Sequence, residues 1–386
     1  MFAIQLGFGF SAPYVALYLY RDFNIRDPGQ LALLTGIVAG SVSLTAAVVG
    51  PIWGVVGDRY GRRPMLIRAI AGGGIAIVAG GLAPNVATLL ATRVSMGLSS
   101  GVTPAGTALV AEGTPPSRLG WALGVTASAR AIGQAVGPIL GALLASFLPL
   151  RVAFVSGGIV VLLAVAPVVL LVKEPPRVGI RGDRGSIQQA IRSAPRGTAR
   201  AIIMLAVCQG LVFFAVSGMQ QLIVLRVLSM HVAFAALATG IIFSAFGIAT
   251  AIGATQYSRL IPNGGFKAMA VVTGALLGCG IAAAAVAPSV VLLVSIAAYS
   301  GLSYGALFPA LNSMLGLEAP ARMKATVFGF AGSFTALGSG LGPLTGGTVA
   351  SFLGLRSGLL MLASAPLVVC LLVWAWGREP AMDRLG

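Results

Sequence analysis

Two arginines stand inside long apolar stretches of the sequence. Arg93 lies within residues 86–111 and Arg130 within residues 120–148. A charge in an apolar environment is costly, so each guanidinium is expected to face a protein interior or a water-filled space. Arg93 could instead bond to carbonyl groups of a neighbouring helix. Arg130 could bind an anionic substrate or extend its charge toward the nearer surface. Both positions place a positive charge inside an otherwise apolar protein.

Other candidate binding residues share these apolar stretches and combine aromatic rings with neutral amides. They are Gln5, Tyr14, Gln209, Phe213, Tyr304 and Asn312. This mixture suits an amphipathic organic ligand. For each residue taken singly, simple packing is the alternative.

Catalytic and metal-binding chemistry has little support in the residue types. The chain has one histidine, and its nine acidic residues all lie at the ends of apolar stretches or between them. The three cysteines show no metal-ligand spacing. We therefore expect no enzymatic activity, no cofactor and no metal site.

The composition indicates that lipid, not water, surrounds most of the chain. Of its 386 residues, 57% are hydrophobic and 9% are charged, whereas soluble domains have about 25% charged residues. A helix that crosses a bilayer needs about 20 apolar residues, and unbroken apolar runs predict helices rather than a barrel. We predict an all-α integral membrane protein. Its twelve predicted spans are 2–20, 30–54, 65–83, 86–111, 120–148, 152–172, 201–226, 232–257, 268–287, 289–316, 325–353 and 355–377.

The net charge of +16 is explained by membrane orientation rather than by nucleic-acid binding. Eighteen of the 25 basic residues follow even-numbered predicted spans, and five lie near the opposite ends of the spans. Loops rich in Lys and Arg stay in the cytoplasm. We therefore predict a protein of the inner or plasma membrane with both termini in the cytoplasm and no nucleic-acid partner.

A polar segment divides the chain into two halves. Residues 173–200 contain several prolines and glycines and seven basic side chains, a composition typical of a linker. The predicted divisions are an N-terminal half 1–172, a cytoplasmic linker 173–200, a C-terminal half 201–377 and a cytoplasmic tail 378–386.

The two halves are related by an internal repeat. Residues 145–151 match residues 350–356 at six of seven positions, and the same offset of 205 relates Pro138 to Pro343. Parallel repeats are related by a pseudo-two-fold axis along the membrane normal and place a substrate site between the halves, near the midplane. The repeat therefore predicts a transporter.

A charged segment follows the second predicted span. Residues 54–64 read Gly-Val-Val-Gly-Asp-Arg-Tyr-Gly-Arg-Arg-Pro, in which glycine permits a tight turn. The segment resembles the signature loop of the major facilitator superfamily, through Gly54, Asp58, Arg59, Gly61, Arg62 and Arg63. The resemblance implies a twelve-helix fold in which Asp58 engages the eleventh helix. It also implies that Glu112, after the fourth span, pairs with Arg59 at a cytoplasmic gate.

Two further patterns resemble motifs of the same family. Arg93 and Gly97 match an Arg-x-x-x-Gly pattern whose arginine is implicated in proton coupling. The fifth span resembles the Gly-Pro motif that marks exporters in the family, at Gly133, Gly137, Pro138 and Gly141. Glycine at four-residue spacing also permits close helix packing, which is the alternative interpretation.

The resemblance is strongest to the drug-exporting branch of the family. It implies a monomer that exports small amphipathic or hydrophobic compounds by alternating access, with protons as the second partner. Drug exporters of this kind often carry an acid inside a span, and this chain has none. The alternative is export or facilitated diffusion of an anionic metabolite or sugar without proton coupling.

Overall fold

The computed structural model describes residues 1–172, 174, 196–260, 265–320 and 323–377, and for a few helical residues, Asp58 among them, it describes the backbone alone. Within these residues all regular structure is helical. Most of the predicted linker 173–200 and the predicted tail 378–386 lie outside the described residues. The first six helices are α1 (Phe2–Arg21), α2 (Pro28–Tyr60), α3 (Arg62–Gly81), α4 (Val86–Leu98 and Val102–Gly113), α5 (Leu119–Phe147) and α6 (Leu150–Leu171).

The remaining helices are α7 (Arg196–Ser229), α8 (Ala235–Leu260), α9 (Gly265–Val286), α10 (Val290–Glu318), α11 (324–353) and α12 (355–376). Gly354 separates the last two, because its φ of 85° breaks an otherwise continuous helix from Lys324 to Trp376. Ten helices of the described residues are long and apolar enough to cross a membrane. The last of these contains both α11 and α12, and α4 consists of two shorter segments. Each of the twelve predicted spans therefore contains α-helix among the described residues.

Polar residues at the span ends start several helices. Asp27 accepts a hydrogen bond from the Gln30 backbone N–H at 2.6 Å, directly before Pro28. Asn85 caps α4 in the same way through Thr88. Side-chain caps satisfy backbone groups that have no partner in the first helical turn.

Some helices extend beyond the predicted spans. α2 continues to Tyr60, so part of the predicted signature loop is helical, and α7 begins at Arg196 inside the predicted linker. Hydropathy marks where a helix leaves hydrocarbon, whereas the helix ends only where its backbone hydrogen bonds end.

The N-terminal half contains interrupted helices, whereas the C-terminal counterparts of α1 and α4 are continuous. α1 contains a short 3-10 turn at Ala12–Tyr14, and α4 breaks at residues 99–101, where Gly101 adopts a φ of 114°. By the repeat offset, the α4 break corresponds to residues 304–306 of the unbroken α10. The prediction of one continuous fourth span was therefore wrong.

Side chains from two neighbouring helices stabilise the α4 break. Arg68 of α3 donates to the carbonyl oxygens of Leu98, at 3.2 Å, and Ser100, at 2.7 Å. The Trp53 indole of α2 also donates to Leu98 O, and the Arg68 guanidinium lies 3.5 Å from the centre of the Trp53 ring. These bonds satisfy carbonyl groups that the break would otherwise leave without partners. We call this group the α4 clamp.

We expect Arg68→Met to lower the free energy of unfolding by about 1–3 kcal/mol, because it retains aliphatic bulk but leaves the Ser100 carbonyl without its partner and the Leu98 carbonyl with Trp53 alone. Thermal unfolding in detergent measures the effect. Arg118→Met, at an exposed position where α5 begins, is the matched control. Equal melting temperatures for the two variants would contradict a stabilising role of the α4 clamp.

Candidate transport cavity and its gates

The two halves pack closely at one end of the bundle. We call the end that carries the Arg-rich loops the basic end and the other the opposite end. Near the opposite end, a Cβ added to Gly40 of α2 would lie 2.5 Å from the carbonyl oxygen of Gly340 in α11. A Cβ on Gly240 of α8 would lie 2.8 Å from the carbonyl oxygen of Pro138 in α5. Glycine permits these backbone contacts, and we call the two helix pairs, α2–α11 and α5–α8, the seam.

Tyr14 belongs to the seam. Its ring is fully buried, and its hydroxyl donates to the carbonyl oxygen of Pro138 next to Gly240. The prediction that Tyr14 faces a substrate cavity is therefore wrong for this conformation. The 3-10 turn of α1 directs the ring toward α5 and α8, which the apolar pattern of the sequence could not show.

The same helices are separated at the basic end. Gly50 and Gly54 lie fourteen residues after Gly36 and Gly40, about four turns, and therefore on the same face of α2. None of the described residues would lie within 4 Å of a Cβ at Gly50, Gly54, Gly120, Gly124, Gly329 or Gly332. Among the described residues, the space between the halves is thus open at the basic end and closed at the opposite end.

One wall of this space is aromatic and belongs to the C-terminal half. The centre of the Phe213 ring on α7 lies 5.2 Å from the ring centre of Phe308 and 6.0 Å from that of Tyr304, both on α10. Phe246 of α8 stacks behind Tyr304 at 5.9 Å. One turn nearer the basic end, Gln209 Nε2 donates to Asn312 Oδ1 at 3.2 Å. The structure therefore brings together Gln209, Phe213, Tyr304 and Asn312, and it adds Phe308, which the sequence analysis missed although it follows Tyr304 at helical spacing.

α5 supplies polar residues from the N-terminal half. Its apolar exposed face carries Ile132, Leu140, Leu143 and Phe147. Arg130 and Gln134 lie on a different face, between the residues that contact α1 and those that contact α8. The charge of Arg130 acts on the Tyr304 hydroxyl of the other half. Arg130 is therefore directed across the inter-half space, and Gln134 is a second residue that the sequence analysis missed.

The Gly-Pro motif of α5 packs against α1. A Cβ on Gly133 would lie 2.9 Å from Cβ of Gln5, and one on Gly137 would lie 2.8 Å from the carbonyl oxygen of Leu6. Gly141 meets Phe10 in the same way. Close helix packing therefore accounts for these glycines. Gln5 is half-buried at this contact, beside the α5 residues that face the space.

The signature loop is held within the N-terminal half. Glu112 pairs with Arg62 at 3.2 Å, so the expected pair with Arg59 is wrong. The Arg59 guanidinium instead lies over the Tyr60 ring, 5.7 Å from the ring centre. Arg62 is the first residue of α3, whereas Arg59 lies in the last turn of α2. Which arginine reaches Glu112 therefore depends on where α2 ends and α3 begins. The side chain of Asp58 lies outside the described residues.

Glu174 completes this junction, and the sequence analysis missed its role. Its two carboxylate oxygens accept hydrogen bonds from the backbone N–H groups of Arg62, at 2.7 Å, and Arg63, at 2.8 Å. An anion at a helix N-terminus is stabilised by the free N–H groups and the helix dipole. Gly61, with a φ of 105°, leaves room for this carboxylate. Together Glu112 and Glu174 fix α3 to the ends of α4 and α6.

A second polar group lies toward the opposite end of the N-terminal half. Arg93 is 5% exposed, and its guanidinium lies 5.2 Å from the Phe154 ring, which also contacts Tyr18. Arg93, Asp22 and Arg151 all act electrostatically on Tyr18. Within the described residues no carboxylate pairs with Arg93, whereas Asp22 pairs with Arg151 at 3.3 Å. Arg93 points into the bundle, as predicted.

Asp22 is the titratable member of this group. Burial raises the pKa of its carboxyl above the ordinary value of 3.8, although Arg151 and Arg21 act in the opposite direction. Among the described residues, no cluster of His, Cys, Asp or Glu could hold a metal ion.

An all-helical bundle of two repeated halves, closed at one end over a polar and aromatic space, defines a membrane transporter. A family profile described as Major Facilitator Superfamily matches residues 1–343 and also residues 205–385. The chain therefore belongs to the major facilitator superfamily.

Comparison with individual proteins finds a multidrug resistance protein and solved transporters. The chain is 27% identical to the multidrug resistance protein MdtG of Escherichia fergusonii, over 98% of this chain and 93% of that protein. It resembles a bacterial homologue of the human lysosomal transporter Spinster in its inward-facing, unoccupied conformation, with a TM-score of 0.77, 16% identity and coverage of 99% and 96%. A D-xylose–proton symporter gives a TM-score of 0.78, 16% identity and coverage of 98% and 96%. The two structural likenesses show the fold alone.

We expect Asp22→Asn to gain stability relative to wild type as pH rises from below 3.8 toward neutrality. A carboxyl whose pKa is raised in the folded state contributes stability below its unfolded pKa, and this contribution is lost as pH rises through the folded pKa. Thermal unfolding in detergent across this pH range measures the difference. A stability difference that did not change with pH would contradict the burial effect at Asp22.

Proposed function

We propose that this protein exports small amphipathic or hydrophobic compounds across the cell membrane by alternating access, in exchange for protons. The observation that carries the proposal is the inter-half space, which is closed at the seam and open at the basic end. By the positive-inside rule, the basic end faces the cytoplasm. The conformation is then inward-facing, and the aromatic wall and Arg130 are reached from the cytoplasm.

The unpartnered glycines support a second, outward-facing conformation. Glycine inside a helix costs about 1 kcal/mol relative to alanine, and at Gly50, Gly54 and Gly329 none of the described residues packs closely enough to require it. Each lies on the face that forms the seam further along the same helix. These glycines are explained if α2 and α11 also close at the basic end when the seam opens.

The direction of transport is supported by the curated relative. The protein from Escherichia fergusonii is named a multidrug resistance protein, and export is the way a membrane transporter lowers the concentration of a toxic compound. The Gly-Pro pattern of α5 agrees with export by family resemblance, although here its glycines also pack against α1.

Proton coupling is the finer part of the proposal, and Asp22 is the residue we assign to it. Asp22 is 16% exposed in its side chain and shares Tyr18 as an electrostatic neighbour with Arg93. Protonation of Asp22 would release Arg151 and alter the field at Tyr18 and Arg93. Because Asp22 lies near the closed end, such a change could bias opening of the seam.

A second candidate is export or facilitated diffusion of an anionic metabolite or sugar without proton coupling. The observation that favours it is Arg130, a cation in the open space with no described carboxylate paired to it. The two candidates differ in their dependence on a proton gradient.

Uptake of the neutral dye N-phenyl-1-naphthylamine into inside-out vesicles tests the function. We expect the dye to accumulate only when the vesicle interior is acidic. Asp22→Asn should lose this accumulation but should still exchange dye when the pH is equal on both sides of the membrane. Asp27→Asn is the control, because Asp27 is exposed at the same end of the protein and asparagine also caps a helix. Uptake that ignores the gradient in wild type would reject antiport and leave the second candidate.

We expect Gly54→Leu to slow net transport about five- to hundredfold, because overpacking of a helix contact costs about 1–3 kcal/mol in the closed state. Binding from the basic end should be unchanged. Val272→Phe, on an exposed face of α9, is the control for added bulk. Transport at the wild-type rate in Gly54→Leu would contradict closure of α2 against α11.

A further inference from the structure

The open space between the halves has an uneven distribution of charge. Arg130 is half-buried on α5, and none of the described residues pairs its guanidinium with a carboxylate or another hydrogen-bond acceptor. The described acids all lie at helix ends, where Asp22, Glu112 and Glu174 already have partners. The space therefore carries one positive charge and no described negative charge.

Arg130 cannot satisfy its charge at the membrane surface. It follows Leu119, the first residue of α5, by eleven residues, which places its Cα about 16 Å along the helix from the basic end. An arginine side chain is too short to cover that distance. It lies instead on the face of α5 between the contacts with α1 and those with α8, toward the inter-half space. On the facing half, Tyr304, Phe308 and Asn312 succeed one another at four-residue spacing on α10.

The facing wall offers complementary chemistry for the rest of a ligand. The rings of Phe213, Tyr304 and Phe308 lie within 5.2–6.0 Å of one another and form an aromatic surface. The Gln209–Asn312 bond uses the acceptor oxygen of Asn312 and leaves its amide N–H groups available. A flat apolar body would pack on the rings, while an acidic group would accept from Arg130 and Asn312.

The charge is also specific to one half. By the repeat offset of 205, Arg130 corresponds to Thr335 and Gln134 to Ser339. The pseudo-symmetric position on α11 therefore presents no charge. Aromatic walls alone would accept organic cations as well as anions, so Arg130 is the feature that distinguishes between them.

We propose that Arg130 is the charge-selecting residue of the cavity and that the substrates are amphipathic organic anions with an aromatic or flat apolar body. The inference rests on the proposed export function and narrows its substrate class. An organic cation of the same shape is excluded because it would meet the Arg130 guanidinium with no carboxylate to offset the repulsion.

Counterflow in proteoliposomes of the full chain tests this selection with two probes of the same ring system. The probes are naphthalene-2-sulfonate, an anion, and 2-naphthyltrimethylammonium, a cation. We expect wild type to move the anion and to prefer it over the cation about tenfold or more. Arg130→Gln should slow anion movement about ten- to hundredfold, as expected for loss of a charge-assisted hydrogen bond, and Arg130→Lys should retain most of it.

Two controls separate charge selection from a structural role. Arg118→Gln removes an exposed arginine at the start of the same helix and should leave the anion-to-cation ratio unchanged. Arg130→Glu should shift the ratio toward the cation, an effect that loss of folding could not produce.

The possible results distinguish failure of this inference from failure of the proposed function. Equal movement of both probes by wild type, or an unchanged ratio in Arg130→Gln, would overturn the inference and leave the export function standing. Movement of ethidium but not of the sulfonate would do the same. If wild type moves none of the dyes or probes, the proposed function fails and this inference fails with it.

Discussion

Close backbone contact between glycine-bearing helices is the interaction on which the rest of this structure depends. At the seam, α2 packs against α11 and α5 packs against α8. A backbone carbonyl oxygen of one helix occupies the place that a side chain on the facing glycine would take. Hydrocarbon provides no hydrophobic drive for helices to associate, so dispersion contacts at short distance hold the halves together. Because the helices are rigid, closing them at one end separates them at the other, and the cavity is a consequence of the seam.

The second constraint is that hydrocarbon cannot hydrate a backbone polar group. The interrupted helices of the N-terminal half are possible only because side chains take over the missing bonds. Arg68 and Trp53 do so at the break in α4. The C-terminal half has threonine at the position that corresponds to Arg68, and its α10 is unbroken. The two halves thus differ at this position, because only the N-terminal half has both a broken helix and an arginine that bonds to its carbonyl groups.

Charge placement follows the same logic. Acids and most arginines lie at helix ends, where water or a helix N-terminus offsets their cost, and Glu174 at the start of α3 is an example. Apart from Arg68, which belongs to the α4 clamp, Arg93 and Arg130 are the two exceptions among the described residues. One is enclosed near Tyr18 and Phe154, and the other faces the open space. Their different surroundings assign them different tasks, although both are arginines within apolar spans.

The sequence by itself determined the membrane environment, the twelve spans, the repeat and the family, because hydropathy and repeated motifs are properties of local residue order. It also identified Arg130 by its charge, and four of the residues around the cavity by their amide or aromatic side chains within apolar runs. Only the tertiary structure decided that Tyr14 is buried in the seam, that Glu112 pairs with Arg62, and that Glu174 caps α3. Those outcomes depend on where helices start, break and cross, and contacts between residues distant in the chain set such geometry. Gly40 and Gly54 show the same distinction: they are identical in type and share a helix face, and only the packing of the two halves makes one a contact and leaves the other open.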